Sequence, residues 1–234
     1  QQAGQTCVHE SIPAAYWDNW WRETELADII MVNSDWSRRA LVQEGVAPEK
    51  IEVVPLAYEP TLAPTVWDSP EAFTADRPLR LLFLGQVTLR KGIDLVLDAM
   101  ERLPDLPLNL DVVGPLQIEV PKAAASDPRI IFHGAVPRSA VAGFYERADL
   151  FLFPTRSDGF GLTQLEALSA GVPVIASDRC GDVVEDGVNG RVLRDLYVAA
   201  LSAELVRLTA NPHLLAEWQG RAGLPNQFRL CNFI

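Results

Sequence analysis

LFLFPTRSDGFGLTQLEALSAGVPVIA, residues 150–176, is the stretch whose reading decides the fold. Leu150 to Phe153 are apolar without alternation, as in a strand buried on both faces, and Pro154 stops the run. A polar, glycine-containing loop follows, from Thr155 to Gly161. A helical pattern spans 161–170, and Gly171 ends it. Gly171-Val172-Pro173 turns the chain into a second buried strand over 173–176. Strand, loop, helix and strand in this order form a unit of a parallel sheet.

The same rhythm extends outward from this unit. Apolar runs at 80–84, 109–113 and 130–133 predict further buried strands. Helical patterns at 92–103, 139–148, 196–209 and 212–221 alternate with them or follow them. The predicted class is α/β: a Rossmann-like parallel sheet with helices on both faces. Gly187 to Gly190 reads as a turn. Upstream, Asp28 to Asn33 reads as a short strand, Ser34 as the N-cap of a helix from Asp35 to Glu44, and Ile51 to Val54 as another strand. Trp17, Trp20 and Trp21 are irregularly spaced and suggest packing or an interface. Pro60, Pro64, Pro70 and Pro78 mark a linker. The expected division is a partial domain with a hinge at 1–60, a linker at 61–78, the α/β domain at 79–221 and a tail at 222–234.

Composition narrows the function classes. With 20 Lys and Arg against 31 Asp and Glu, net charge is −11, which argues against a general nucleic-acid binder. An anionic small ligand needs only a local cationic pocket. Cys7, Cys180 and Cys231 have no metal-type spacing, and a reducing cytosol suits them. His9, His133 and His213 form no ligand cluster, and no metal site or cofactor is expected. No apolar run approaches the ~18 residues of a membrane span. The sequence contains no Walker A, GxGxxG or GxSxG motif.

Ligands of parallel sheets bind beyond the carboxyl ends of the strands, so the loops there carry the candidates. Gly85-Gln86-Val87-Thr88-Leu89-Arg90-Lys91-Gly92 places two cations where a helix begins. The helix dipole disfavours them by some tenths of a kcal/mol, roughly, unless an anion binds there. The alternative is two solvated side chains. In the loop after 150–153, Gly159 and Gly161 allow close backbone approach, and the next helix offers free N–H groups for phosphate. Leu162 and Leu165 mark the apolar stripe of that helix, and Glu166 falls beside them. A carboxylate there needs a partner: a ribose diol, or an Arg or Lys from elsewhere in the chain. Asp158 suits a sugar hydroxyl or an ordinary turn. Cys180 and Gly181 are candidates to line the cleft.

DGFGLTQLEAL at 158–168 and GVPVIAS at 171–177 resemble the donor-site signature of family 4 retaining glycosyltransferases. These enzymes have two Rossmann-like domains, the fold called GT-B. FLGQVTLRKG at 83–92, VVG at 112–114, HGAVP at 133–137 and the segment 27–60 match in family order and spacing. The resemblance implies the carboxyl-terminal half of a GT-B fold with a remnant of the first domain. It implies a nucleoside-diphosphate-sugar donor, transfer with retention and no metal. The family's paired acids fall on Asp158, which would contact the transferred sugar, and Glu166, which would contact the ribose. Lys91 matches the diphosphate lysine. Asp158 and Lys91 are therefore the catalytic candidates. Gly85, Gln86, Arg90, Gly159, Phe160, Gly161 and Leu162 would line the donor, and Val136 would lie near the base. Gln86 stands where the family often carries Arg. An acceptor (sugar, glycolipid or protein) and a missing amino-terminal domain are the implied partners, and any peripheral membrane contact would come through that domain. This chain alone is expected to bind donor without effective transfer; the alternative is a nucleotide-sugar-binding module without catalysis.

Overall fold

The computed structural model describes residues 13–60 and 70–230. Cys7, His9, Cys231 and half of the expected linker lie outside them.

The amino-terminal segment contains helix α1 (Ala14–Leu26), strand β1 (Ile30–Val32), helix α2 (Asp35–Gln43) and strand β2 (Ile51–Val53). The two strands pair in parallel as a sheet of their own. Ser34 caps α2 as its side-chain chemistry demands, its Oγ accepting from Ser37 N at 3.1 Å. Helix α1 is an addition to the sequence reading. Its Trp17, Trp20 and Trp21 pack edge to face on one another and line a cavity of about 480 Å³ with Ala40 and Leu41 of α2. Lys50 secures the end of α1 by donating to the Glu25 carbonyl at 2.9 Å.

The main domain contains β3 (Leu79–Leu84), α3 (Ile93–Arg102), β4 (Leu108–Val113), α4 (Lys122–Ser126), β5 (Ile130–Gly134) and α5 (Arg138–Arg147). It continues through β6 (Leu150–Phe153), α6 (Leu162–Ser169), β7 (Val174–Ser177), β8 (Gly190–Leu193), α7 (Val198–Ala210) and α8 (Pro212–Arg221). Six strands pair in parallel in the order β5-β4-β3-β6-β7-β8. Both faces are covered. Leu81, Phe83, Leu110, Leu150 and Leu152 pack toward α3, α7 and α8, burying Ile93, Leu97, Leu205 and Trp218. Leu82, Val113, Phe151 and Phe153 pack on the other face against Tyr145, Leu165 and Leu168. The alternation of sides along each strand follows from the two-residue pleat.

Two stretches differ from their sequence reading. The expected turn at 187–190 turns at Gly187 and then enters edge strand β8, paired with β7 through Val174 and Gly190. Residues 222–230, read as a tail, return over the domain: Leu224 and Phe228 are buried, and Tyr58 N donates to the Phe228 carbonyl at 2.8 Å.

Candidate functional site

The strand order fixes where a site can form. Chain progression runs outward from β3 in one direction and from β6 in the other, so β3 and β6, side by side, bracket the switch point. The loops leaving these two strands carry the sequence candidates.

The first loop climbs from Gly85 through a short 3-10 turn, Leu89–Lys91, to Gly92. Thr88 caps the turn by accepting from Lys91 N at 3.2 Å. Gly92 has φ 78°, and a Cβ there would lie 2.0 Å from the Pro154 carbonyl oxygen, so only glycine lets the two loops meet. Helix α3 starts one residue later, at Ile93. Arg90 and Lys91 thus precede the helix instead of opening it.

The two loops are stapled by a set of bonds that sequence reading missed. Arg156 grips Asp94 with both guanidinium nitrogens, at 2.6 and 2.5 Å, and donates to the Leu89 carbonyl. Arg156 N donates to the Arg90 carbonyl at 2.8 Å, and Thr155 Oγ1 donates to the same oxygen at 3.1 Å. Arg90 returns the link, donating to the Ser157 carbonyl at 2.7 Å. The signal in the sequence was a pair of opposite charges 62 residues apart, which no local pattern connects.

Lys91 and Asp158 meet at the centre. Lys91 Nζ forms an ion pair with Asp158 Oδ2 and lies 5.1 Å from the centroid of the Phe153 ring. Their side chains retain 17% and 15% exposure, enough for a ligand to reach both. Lys91 is therefore not a freely solvated side chain, whereas Arg90 is exposed and held by its bond to Ser157. Asp158 also accepts from Phe160 N at 3.3 Å, which folds the loop toward Gly161. Gly161 has φ 83° and begins α6, which no side chain caps. The N–H groups of Leu162 and Thr163 precede the first helical hydrogen bond at the switch point, while Gln164 N donates to the Gly161 carbonyl at 3.0 Å.

Other candidates are placed as follows. Gly159 is approached by protein: the Asn33 side chain lies against it, and Ser34 and Ser37 donate to its carbonyl at 2.5 and 3.3 Å. The amino-terminal segment thus touches the loop at its tip. The Phe160 side chain is buried against Phe228, leaving only its backbone near the site. Leu162, the first residue of α6, is 43% exposed and is not part of the apolar stripe; Leu165, Ala167 and Leu168 form the buried face. Gln86 is exposed on the β3 loop, beside half-buried Gly85. Cys180 does not line the cleft. It is buried beneath the loop, with Gln164 Nε2 at 3.5 Å, and burial, followed by the nearby Asp158 charge, pushes its thiol up to about 12.

Glu166 lies on α6 next to α5. Tyr145 donates its hydroxyl to Glu166 Oε2 at 3.0 Å, and Arg138, largely exposed, stands 3.5 Å from Oε1. A cavity of about 210 Å³ opens here, lined by Tyr58, Arg138, Ser139, Ala142, Tyr145 and Glu166. Val136, half-buried, precedes α5 at the same end of the sheet. The candidates thus form two groups: Lys91, Asp158 and the α6 N-terminus at the switch point, and Glu166 one helical turn onward beside the α5 cavity. Among the described residues, no helix is long and apolar enough to cross a membrane.

A parallel sheet with cations and an open helix N-terminus at its switch point defines a domain suited to anionic, nucleotide-like ligands. The chain belongs to the glycosyl transferases group 1 family, whose model matches residues 78–211. A D-inositol 3-phosphate glycosyltransferase of Xylanimonas cellulosilytica is 34% identical over 167 residues, covering 62% of this chain and 40% of that protein. A GDP-mannose-dependent alpha-(1-6)-phosphatidylinositol monomannoside mannosyltransferase of Mycolicibacterium smegmatis is 30% identical, covering 60% of this chain and 41% of that protein. The chain thus spans about two fifths of these curated relatives. Among solved structures, Anabaena Alr3699/HepE in complex with UDP and glucose superposes with TM-score 0.76 at 19% identity, over 92% of this chain and 64% of that one. Sucrose-phosphate synthase of Thermosynechococcus elongatus superposes with TM-score 0.73 at 23% identity, over 92% of this chain and 59% of that one. The expected family and α/β fold class both hold.

Proposed function

We propose that this chain supplies the donor-binding half of a retaining glycosyltransferase that takes a sugar from a nucleoside diphosphate. The observation that carries this reading is the placement of Lys91, paired with Asp158, beside the open N-terminus of α6 at the switch point. A diphosphate there meets an ammonium and free backbone N–H groups together. The ribose hydroxyls then reach Glu166 and the base lies toward Val136, while the sugar faces Asp158. One relative is GDP-mannose-dependent by its name, and one solved structure of the same fold is in complex with UDP and glucose.

In the transfer step, the bond from the anomeric carbon to the diphosphate oxygen breaks, and its electron pair leaves with the diphosphate. An acceptor hydroxyl oxygen bonds to the same face of that carbon and passes its proton to the departing diphosphate oxygen. Lys91 and the α6 N-terminus stabilise the charge that develops on the leaving group. These fixed positive groups do the work a divalent metal does elsewhere, so we propose metal-independent binding. Acceptor recognition falls to an amino-terminal domain of which residues 1–60 are a part, joined through a linker at 61–78 to the donor domain at 79–221. Transfer by these 234 residues alone is expected to be weak, because the reacting groups must be held from both sides. A cytoplasmic location accords with this chemistry and with the buried free thiol of Cys180.

Thermal shift with UDP, GDP, ADP and their sugar derivatives, each with and without chelator, tests the reading. Stabilisation that survives chelator supports it. Stabilisation only when divalent cation is present would remove metal independence, and no stabilisation by any of them would remove the donor site.

A further inference from the structure

Tyr145 is the largest polar side chain sealed into the face of the sheet that carries α5 and α6, and it is completely buried. Its ring packs against Phe151 at 5.8 Å, while its hydroxyl reaches Glu166 Oε2 at 3.0 Å and the Thr163 carbonyl at the long distance of 3.4 Å. Burial and the neighbouring carboxylate drive the phenol ionisation well upward, so the hydroxyl remains a donor. A buried hydroxyl with one good acceptor holds that acceptor in place in turn.

The two oxygens of Glu166 are therefore unlike each other. Oε2 is engaged from inside the protein by Tyr145. Oε1 faces the α5 cavity, with Arg138, a side chain 84% exposed, at 3.5 Å. An exposed, long-armed partner at that distance fixes little. We infer that Tyr145 is a positioning residue: it pins Glu166 so that Oε1 is presented into the cavity to accept from ligand hydroxyls. Without the hydroxyl, Glu166 swings toward Arg138, and the carboxylate is lost to the ligand. This inference rests on the reading of Glu166 as the ribose partner. It adds a residue whose hydroxyl acts through Glu166, and it explains why the chain places a tyrosine where a phenylalanine would fill the same core volume.

The test is a cycle between one protein hydroxyl and two ligand hydroxyls. UDP, GDP and ADP are titrated calorimetrically, and the tightest is compared with its 2′,3′-dideoxy form, in the wild type and in Tyr145→Phe. Inorganic pyrophosphate, which engages only the Lys91 end, reports whether that end is intact in the variant, and a thermal melt reports folding. We expect loss of the ligand hydroxyls to weaken wild-type binding about 10-fold or more, and Tyr145→Phe binding by less than about threefold, with pyrophosphate binding equal in both. An equal penalty in the two proteins would overturn the positioning role while leaving Glu166 as the ribose partner. No penalty in the wild type would overturn the reading of Glu166 itself, and the inference with it. If Tyr145→Phe melts without cooperativity, the same cycle on Tyr145→Leu, a second variant without the hydroxyl, decides: an undiminished ligand-hydroxyl penalty there overturns the proposal, and its collapse supports it.

Discussion

Lys91 and Asp158 form an ion pair across the gap between the β3 and β6 loops, with the Phe153 ring beneath the ammonium. The pair joins the group proposed to hold the diphosphate to the group proposed to hold the sugar. Asp158 cancels part of the charge that a diphosphate would otherwise meet.

That coupling gives the two ligands opposite responses to one substitution. Asp158→Asn leaves the ammonium unopposed, so a plain nucleoside diphosphate should bind as tightly as before or severalfold tighter. The sugar-bearing donor should lose affinity relative to it, by roughly 1–2 kcal/mol for a lost hydrogen bond to a charged group. Calorimetry with UDP and UDP-glucose measures both. Equal weakening of the two ligands would mean that Asp158 serves only to shape the loop.

The Arg156 and Asp94 bridge holds the same two loops together from behind. Arg156→Ala and Asp94→Ala should each lower stability, and the double variant should lose little more than either single one. The expected coupling is about 1–2 kcal/mol, as for a two-pronged pair with partial shielding. Urea melts of the four proteins give the cycle. Strict additivity would show that the bridge contributes nothing beyond its separate side chains.

Much of the fold was open to reading because it rests on local patterns. Five largely apolar strand segments, the cap at Ser34 and the helix stop at Gly171 each state their own element. Strand β8 was hidden because Gly190-Arg191-Val192-Leu193 is short, lies at the sheet edge and follows a true turn. Helix α1 was hidden by three tryptophans whose spacing obscures a single apolar stripe. The site was legible as a set of loops and opaque as a set of partners. Lys91 with Asp158, Arg156 with Asp94 and Tyr145 with Glu166 are each separated by 21 to 67 residues, and only the strand order brings them together. The contact of Ser34 with the Gly159 carbonyl spans 125 residues and joins two sheets that the sequence treats separately.

Cys180 lies close to the proposed sugar site yet is predicted to be inert. Its thiol is pushed up to about 12, chiefly by burial, so almost none is thiolate at pH 8. Iodoacetamide at pH 8, followed by peptide mass mapping, should leave Cys180 unmodified in the native chain and modify it after denaturation. Rapid native labelling would mean that the loop above it opens far more often than its packing implies.

Calorimetric titration of UDP, GDP and ADP into the wild type, Lys91→Met and Glu166→Ala tests the central claim most directly. At least one diphosphate should bind the wild type, and each variant should weaken that binding by roughly 1–3 kcal/mol, through loss of a charged contact at opposite ends of one ligand. Wild-type binding that survives unchanged in both variants, or no binding of any of the three, would contradict the assignment of a nucleotide site to this cleft.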